Sequence, residues 1–353
     1  MRTGAYSMPN KKRELWADNA KGLGILLVFI GHLDALPQII RVFIYLFHMP
    51  LFFFCMGFYC NTSTDWKTYL KKTILHLLVP FYAYSVFNIL LQTFKQLLLS
   101  SGFHWDEIAK LSLGMLINVR NSAFPSQYWF LITSFVAYIY YYLLRNYIKK
   151  IQIELFFVVG MSILLTYLSR FSGVALPWYL DVAFPCLLFM YLGAAVKKKE
   201  SDFGRKKVFL LGIIGIVSAV LIYCILEKNG EKFLVDYHML KLFPYSLVTI
   251  GGVSLCIFVY AFFKRFDKKT FLTYIGENSL IYFLFDRFPI SLVGKLLSHF
   301  HITNVFVSAC AKLLGIIAFT PFIVMFIKYF FWFLFGKKKE AWSFDYSRLA
   351  RKR

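Results

Sequence analysis

The chain is a succession of long apolar stretches separated by short polar and basic segments. A helix needs about 20 apolar residues to cross the hydrocarbon core of a bilayer, and the apolar stretches are of that length. The pattern therefore predicts an all-α, polytopic transmembrane helical bundle of about ten spans. The predicted spans cover residues 22–40, 42–61, 73–94, 127–147, 152–169, 177–196, 207–226, 239–262, 272–293 and 304–335.

The basic residues between the spans predict the orientation of this bundle. If the N-terminus is cytoplasmic, 28 of the 40 Lys and Arg residues fall in cytoplasmic segments. Cytoplasmic loops carry an excess of these residues, so we expect both termini to be cytoplasmic. We expect a membrane-embedded domain at 1–336 and a basic cytoplasmic tail at 337–353 that contacts anionic membrane lipids.

The composition is typical of a membrane protein, and it argues against interpreting the positive net charge as a sign of nucleic-acid binding. Charged residues make up 16% of the chain, whereas a soluble domain carries about 25%. A net charge of +22 would suggest nucleic-acid binding in a soluble protein. Here the basic residues cluster beside apolar runs, so we predict no nucleic-acid partner. The six cysteines lack metal-ligand spacing, so we interpret them as small buried hydrophobes and predict no metal site.

Two histidines stand out because they lie inside the first two predicted spans. A histidine in such a segment is costly unless it has a partner or a function. Lys21 and His32 are eleven residues apart, which places them within about 20° of one helix face and about 16 Å apart along its axis. A long ligand with an anionic head and a reactive tail fits this stripe, and coenzyme A thioesters have that shape. His48 follows in the second span.

Two short motifs follow one another in this region. One joins a cation, ten intervening residues and a histidine, and the other joins a histidine, a proline and several phenylalanines. They comprise Arg13, Asp18, Lys21 and His32, then FHMPLFF at 47–53 and Gly57-Phe58. Together they resemble the signature of acyltransferase family 3, and the opening is most similar to the fucose 4-O-acetylase-like group.

The resemblance implies an integral membrane O-acyltransferase that modifies carbohydrates. We expect an acetyl group to pass from cytosolic acetyl-CoA to a hydroxyl of a cell-surface or lipid-linked carbohydrate. Acetyl-CoA would be a substrate, and no permanently bound cofactor is expected. The expected location is the cell membrane, specifically the inner or plasma membrane of a bacterium.

Acyl transfer to a hydroxyl needs a base that takes the hydroxyl proton as the oxygen attacks the thioester carbonyl. Histidine suits this role because its pKa lies near neutrality. We predict that His32 is the base, with a hydrogen bond between helices as the structural alternative. His48, at a similar predicted depth, either orients the acceptor, stabilises the oxyanion or braces His32.

The cytosolic mouth of the first span carries the candidate donor-binding residues. Lys21 is predicted to bind a coenzyme A phosphate, as lysine does elsewhere as a point charge. Arg13 either does the same or fixes the orientation of the span. Asp18 lies three residues before Lys21, a spacing that allows an ion pair on one helix face.

Trp129 and Asp181 are candidates for binding the acceptor. Trp129 lies in QYWFL, which resembles the start of a family span. It either stacks on a sugar ring or belongs to an interfacial aromatic belt. Asp181 lies near the outer end of the sixth predicted span. It is a better candidate partner for His32 than Asp34, which points away from that histidine.

Asp286 is the third candidate on the acceptor side. The segment GENSL at 276–280 matches a family element, and relatives often carry a histidine ten residues after its glycine. This chain has Asp286 there, and we expect it to pair with Arg287 or with a histidine across the bundle.

Two other functions fit the same polar residues. A transporter or flippase would use the histidines and acids as a polar path. Such proteins often show internal repeats and broken helices in matching halves, and the sequence shows neither. A non-catalytic assembly partner would not depend on His32.

Overall fold

A computed structural model describes residues 14–33, 36–99, 104–122, 128–199, 203–230 and 235–335. Arg13, Asp34 and the predicted tail at 337–353 lie outside these residues. The described chain is helical, and no strand occurs in it. Its helices are α1 Leu15–Gly31, α2 Gln38–Tyr59, α3 Trp66–Thr73, α4 Val79–Leu99, α5 Trp105–Ile117, α6 Trp129–Tyr147, α7 Ile151–Ser172, α8 Ala183–Lys199, α9 Arg205–Lys228, α10 Tyr245–Arg265, α11 Phe271–Glu277, α12 Ser279–Phe285, α13 Arg287–His299 and α14 Val305–Phe330.

The structure supports the predicted helical membrane bundle and gives a smaller number of clear spans. Among the described residues, seven helices are long and apolar enough to cross a bilayer. They correspond to seven of the ten predicted spans, and the ten-span count and the cytoplasmic termini stay predictions. The seven are Gln38–Tyr59, Trp66–Leu98, Ile151–Ser172, Pro177–Lys199, Arg205–Lys228, Tyr245–Arg265 and Val305–Phe330.

The first predicted span was placed wrongly. A continuous helix at 22–40 was expected, but α1 ends at Gly31 and His32 caps it. Pro37 then precedes the first residue of α2, because its fixed φ and missing N–H suit the start of a helix. With 17 residues, α1 is about 26 Å long, slightly less than the hydrocarbon thickness.

The ninth predicted span, 272–293, is not one helix. The segment is broken into α11, α12 and α13, with breaks at Asn278 and Asp286. The side-chain amide of Asn278 donates to the carbonyl of Tyr274 at 2.8 Å. A side chain that bonds its own backbone competes with the regular helical ladder, which the apolar pattern alone does not reveal.

Close helix packing surrounds α1 and α2 at the centre of the bundle. A Cβ at Gly57 of α2 would collide with the backbone of Met190 in α8, and one at Gly276 of α11 would collide with the carbonyl of Asp18 in α1. Small residues let helices approach in this way within membranes. These contacts fix α1, which carries both Lys21 and His32, against its neighbours.

The cysteines are only partly buried. Cys55, Cys186 and Cys256 are buried, as expected, but Cys224 and Cys310 are exposed. The expectation was wrong for these two because they lie on outward faces of α9 and α14, where apolar side chains are not covered by other helices.

Candidate active site

Lys21 lies on α1 with its charge held in place by Asp18. The Lys21 Nζ lies 2.8 Å from Asp18 Oδ1, and the Asp18 side chain is only 5% exposed while that of Lys21 is 30% exposed. The expected ion pair is therefore confirmed. Lys21 keeps enough open surface to meet a ligand.

Asn19 holds the same turn of α1 against the start of α11. Its side-chain N–H donates to the carbonyl of Lys268 at 3.0 Å, and its Oδ1 accepts from the hydroxyls of Thr270 at 2.8 Å and Thr273 at 2.7 Å. Asn19 and Thr273 are buried. Three hydrogen bonds to one buried amide make the position of Lys21 well defined.

A cavity of about 450 Å³ opens beside Lys21. Its polar lining comes from Lys21 and from the segment that joins α2 to α3 and continues into α4. Its apolar lining comes from residues deeper in α1, α2, α6 and α12. The polar group includes Lys21, Asn61, Thr64, Thr68, Lys72 and His76, and the apolar group includes Ile25, Met49, Phe52, Phe130 and Phe283.

His76 lies on a π-helical turn, Ile74–Leu78, between α3 and α4. Its Nδ1 is 2.8 Å from the carbonyl of Lys72. A carbonyl only accepts, so Nδ1 carries a proton and donates. Single π-turns often occur at functional sites. Sequence reasoning assigned neither Lys72 nor His76 to the site, because the turn that brings them to the cavity has no readable sequence signal.

His32 lies at the opposite end of α1. Its side chain is exposed, and its ring lies 6.5 Å from that of Tyr45, edge to face. Within the described part of the chain its ring has no hydrogen-bond partner. An accessible imidazole with free nitrogens is available to a substrate hydroxyl.

His48 differs in that it is buried and fixed. Its Nδ1 donates to the carbonyl of Ile44 at 2.8 Å, so the neutral ring presents Nε2 as an acceptor. Its ring lies 5.0 Å from Tyr45. The Tyr45 ring is thus a neighbour of both predicted histidines.

Asp181 does not pair with His32. Its Oδ2 lies 2.7 Å from Arg120 Nη2, and both side chains are almost fully buried. The same arginine donates to the carbonyl of Val174 at 2.6 Å. The expected pairing with His32 is therefore wrong, because a residue 61 positions earlier occupies the carboxylate. Its role in acceptor binding stays a prediction.

Trp129 is buried in an aromatic group beside that ion pair. Its ring lies 6.4 Å from Tyr179 and 5.7 Å from His238. The hydroxyl of Tyr179 is 3.1 Å from His238 Nε2. His238 lies in the connection before α10, where burial lowers its pKa to about 4 and keeps it neutral at neutral pH. Sugar stacking by Trp129 stays a prediction, as its ring is covered in this state.

Asp286 is buried at the break between α12 and α13. It does not form the expected ion pair with Arg287 within 4.0 Å in the described residues. Arg287 is exposed, and its charge acts on His32. No group of three His, Cys, Asp or Glu side chains in the described residues is arranged to hold a metal ion.

A family model described as an acyltransferase domain, that of acyltransferase family 3, matches residues 14–336. The match covers most of the chain, including α1 with Lys21 and His32. The chain belongs to acyltransferase family 3. This acyltransferase is a membrane protein, as its apolar helices also indicate. No curated protein and no solved structure matches it significantly.

The cavity of the acyltransferase does not extend to His32. Ile25 is the deepest α1 residue in its lining, and His32 lies seven residues further, about 10 Å along the helix axis. Phe29 lies between them on the same face of α1. Its ring is buried and lies 6.4 Å from that of Tyr282. Along α1, the Phe29 ring therefore lies between the cavity lining and His32.

Proposed function

We propose that this family 3 acyltransferase transfers an acetyl group from cytosolic acetyl-CoA to a hydroxyl of a cell-surface or lipid-linked carbohydrate. We place it in the plasma membrane of a bacterium. The observation that carries the proposal is the arrangement along α1. A fixed cation lines a cavity at one end, and an accessible histidine caps the other.

Acetyl-CoA fits the chemistry of the cavity. Its phosphates would meet Lys21 and Lys72, since charge-assisted contacts to phosphate are stronger than neutral hydrogen bonds. The hydroxyl and amide groups of Thr68 and Asn61 suit the polar part of the donor. The apolar interior suits the acyl-bearing end of the arm, which leads toward Phe29 and then His32. Arg13 is proposed as a second phosphate contact.

His32 is proposed as the general base. The acceptor oxygen attacks the thioester carbonyl while its proton passes to His32. The carbon–sulfur bond then breaks, and the proton leaves with the thiolate as coenzyme A. The products are the acetyl ester and free coenzyme A, so no further reactant is needed.

His48 is proposed to orient the acceptor hydroxyl or to brace His32. Its Nδ1 proton is used by the carbonyl of Ile44, so Nε2 of the neutral ring accepts and has no proton to donate. An oxyanion needs donors. Of the three roles predicted for His48, oxyanion stabilisation is therefore the least favoured.

The test is a comparison of surface glycans and glycolipids from cells with and without the gene, by mass spectrometry. We expect an acetyl ester on a carbohydrate in cells that have the gene and its loss in the others. The purified protein in proteoliposomes, supplied with radiolabelled acetyl-CoA and glycan from the deletion cells, should restore the ester. Identical glycans in both cell lines and no transfer in vitro would contradict the proposal.

A further inference from the structure

The charges of two arginines act on His32, at the end of α1 that is distant from Lys21. Arg41, in the first turn of α2, donates from Nη2 to the carbonyl of Leu33 at 2.8 Å, directly next to His32. Arg287 is the first residue of α13. The positive charges of both arginines act on the His32 ring.

Neither arginine is neutralised by a carboxylate. In the described residues, no carboxylate oxygen lies within 4.0 Å of Arg41 or Arg287. By contrast, Arg120 and Arg145 each have a carboxylate partner, at 2.7 and 3.0 Å. In the described part of the chain, neither arginine that acts on the candidate base has an ion-pair partner within 4.0 Å, although the charge of Arg287 also acts on the buried Asp286.

Arg41 also has an unused donor. Its Nε is buried and has no hydrogen-bond partner. A buried donor that is left without a hydrogen bond destabilises the protein. Because Arg41 is otherwise anchored to Leu33, this nitrogen cannot simply turn toward solvent. A ligand with an acceptor group at this place would satisfy it.

The neighbouring acids Asp286 and Asp236 do not form ion pairs with Arg41 or Arg287 in the described residues. Asp286 precedes Arg287 but is buried and not within ion-pair distance of it. Asp236 acts electrostatically on Tyr45, yet it lies in the connection before α10 under the influence of Lys241 and Arg120. Burial raises the pKa of Asp236 above its ordinary value, and no ion pair joins it to Arg41 or Arg287 within 4.0 Å in the described residues.

The proposed reaction would be favoured by an anion bound near His32, Arg41 and Arg287. When His32 takes the acceptor proton it becomes a third positive charge beside Arg41 and Arg287. An anion bound between them would offset that charge. Guanidinium groups match carboxylates and phosphates with paired hydrogen bonds, which fixes orientation as well as charge.

We propose that the acceptor is an anionic glycan, which presents a carboxylate or a phosphate to Arg41 and Arg287 next to the hydroxyl that is acylated. This rests on the proposed function and specifies its substrate class. The anion belongs either to a sugar acid of the glycan or to a phosphate in the polymer or lipid carrier.

Tandem mass spectrometry of the glycans from cells with and without the gene tests this substrate class. We expect the acetyl ester on, or directly next to, a residue that bears a carboxylate or a phosphate. The fragments distinguish a sugar acid from a phosphate. An ester on a neutral sugar with neutral neighbours overturns the inference and leaves the proposed function intact. No difference in acylation between the cells overturns both.

Variants of the two arginines test the contact directly. Arg287→Gln changes an exposed side chain and should fold normally, whereas Arg41→Gln also removes the bond to Leu33. With glycan from the deletion cells as acceptor, each should raise the acceptor KM about tenfold, a loss of about 1.4 kcal/mol, with the acetyl-CoA KM unchanged. Lys228→Gln, which removes an exposed cation at the end of α9, is the matched control.

A fall in kcat with no change in acceptor KM in both arginine variants would overturn the inference. That result would assign the guanidinium groups to the charge that develops on the thioester oxygen and not to the acceptor. Unchanged kinetics in both Arg287→Gln and Arg41→Gln would also overturn it.

Discussion

The two ends of α1 are built differently. At the Lys21 end, the cation is paired with Asp18 at 2.8 Å, and Asn19 makes three hydrogen bonds to the α11 side within 3.0 Å. At the other end, His32 is exposed with no hydrogen bond to its ring in the described residues, and Arg41 has a buried donor without a partner. At the Lys21 end, the polar groups named here are satisfied within the protein. At the His32 end, a ligand would be needed to satisfy them.

This contrast suits donor binding at the Lys21 end of α1 and acyl transfer at the His32 end. A preorganised cation and a formed cavity suit recognition of a substrate that is common to many reactions, such as acetyl-CoA. Accessible groups with unused hydrogen-bonding capacity suit the second substrate, whose hydroxyl must meet the base. Phe29 and Tyr282 separate the two ends in this state.

The first prediction, with the largest expected effect, concerns which side of the membrane each end of α1 faces. A cysteine at Asn229, an exposed position after α9, should react with a membrane-impermeant thiol reagent in intact cells. A cysteine at Ser63, exposed between α2 and α3, should react only after the cells are opened. The parent chain with its native cysteines is the control. The opposite labelling would place Lys21 on the outer side and remove the basis for cytosolic donor entry.

The next effect is the loss of the proposed base, His32. His32→Ala should reduce acyl transfer about 10²–10⁴-fold, the usual contribution of general acid–base catalysis, with normal accumulation in the membrane. His301→Ala, which changes an exposed histidine after α13, is the matched control. Wild-type transfer by a well-expressed His32→Ala protein would remove His32 from the mechanism.

Charge reversal at the other end should act on donor binding. Lys21→Glu should weaken acetyl-CoA binding about tenfold to hundredfold, or about 1.4–2.8 kcal/mol, as measured by the acetyl-CoA KM. Lys21→Arg keeps both the charge and the Asp18 pair and should be tolerated.

Lys149→Glu, an exposed cation after α6 that does not line the cavity, controls for the general loss of positive charge. If Lys21→Glu and Lys149→Glu gave equal donor KM values, acetyl-CoA would not enter at Lys21.

The smallest expected effect concerns the barrier between the two ends. Phe29→Trp should lower kcat several-fold without changing the acetyl-CoA KM, since a larger ring obstructs the path beyond the cavity but leaves its lining intact. Phe29→Leu should leave the donor KM equally unchanged and give kcat at or above that of the wild type. A donor KM that rises with ring size would show that the cavity itself extends past Phe29.

The predictions that depend on one helix were the most reliable. The pairing of Asp18 with Lys21 was confirmed because three residues bring side chains together on any α-helix. The all-helical membrane fold followed from the length of the apolar stretches. Membership of acyltransferase family 3 was confirmed by a match over residues 14–336.

The predictions that depend on several helices were weaker. Asp181 was considered as a partner for His32, but Arg120 takes it through a contact that joins two distant parts of the chain. Lys72 and His76 were not assigned to the site, because they share a cavity with Lys21 only in the folded bundle. The spacing of residues along the chain does not predict contacts between distant segments.

The sequence by itself determined that this protein is a helical membrane acyltransferase with a cation and a histidine on one helix. Helix geometry is local, so eleven residues of separation set their spacing wherever the helix lies. The folded structure was needed to show that α1 ends at Gly31, that the 272–293 segment is broken, and that the charges of Arg41 and Arg287 act on His32. These features depend on side-chain competition for backbone groups and on packing between distant segments, which residue spacing does not encode.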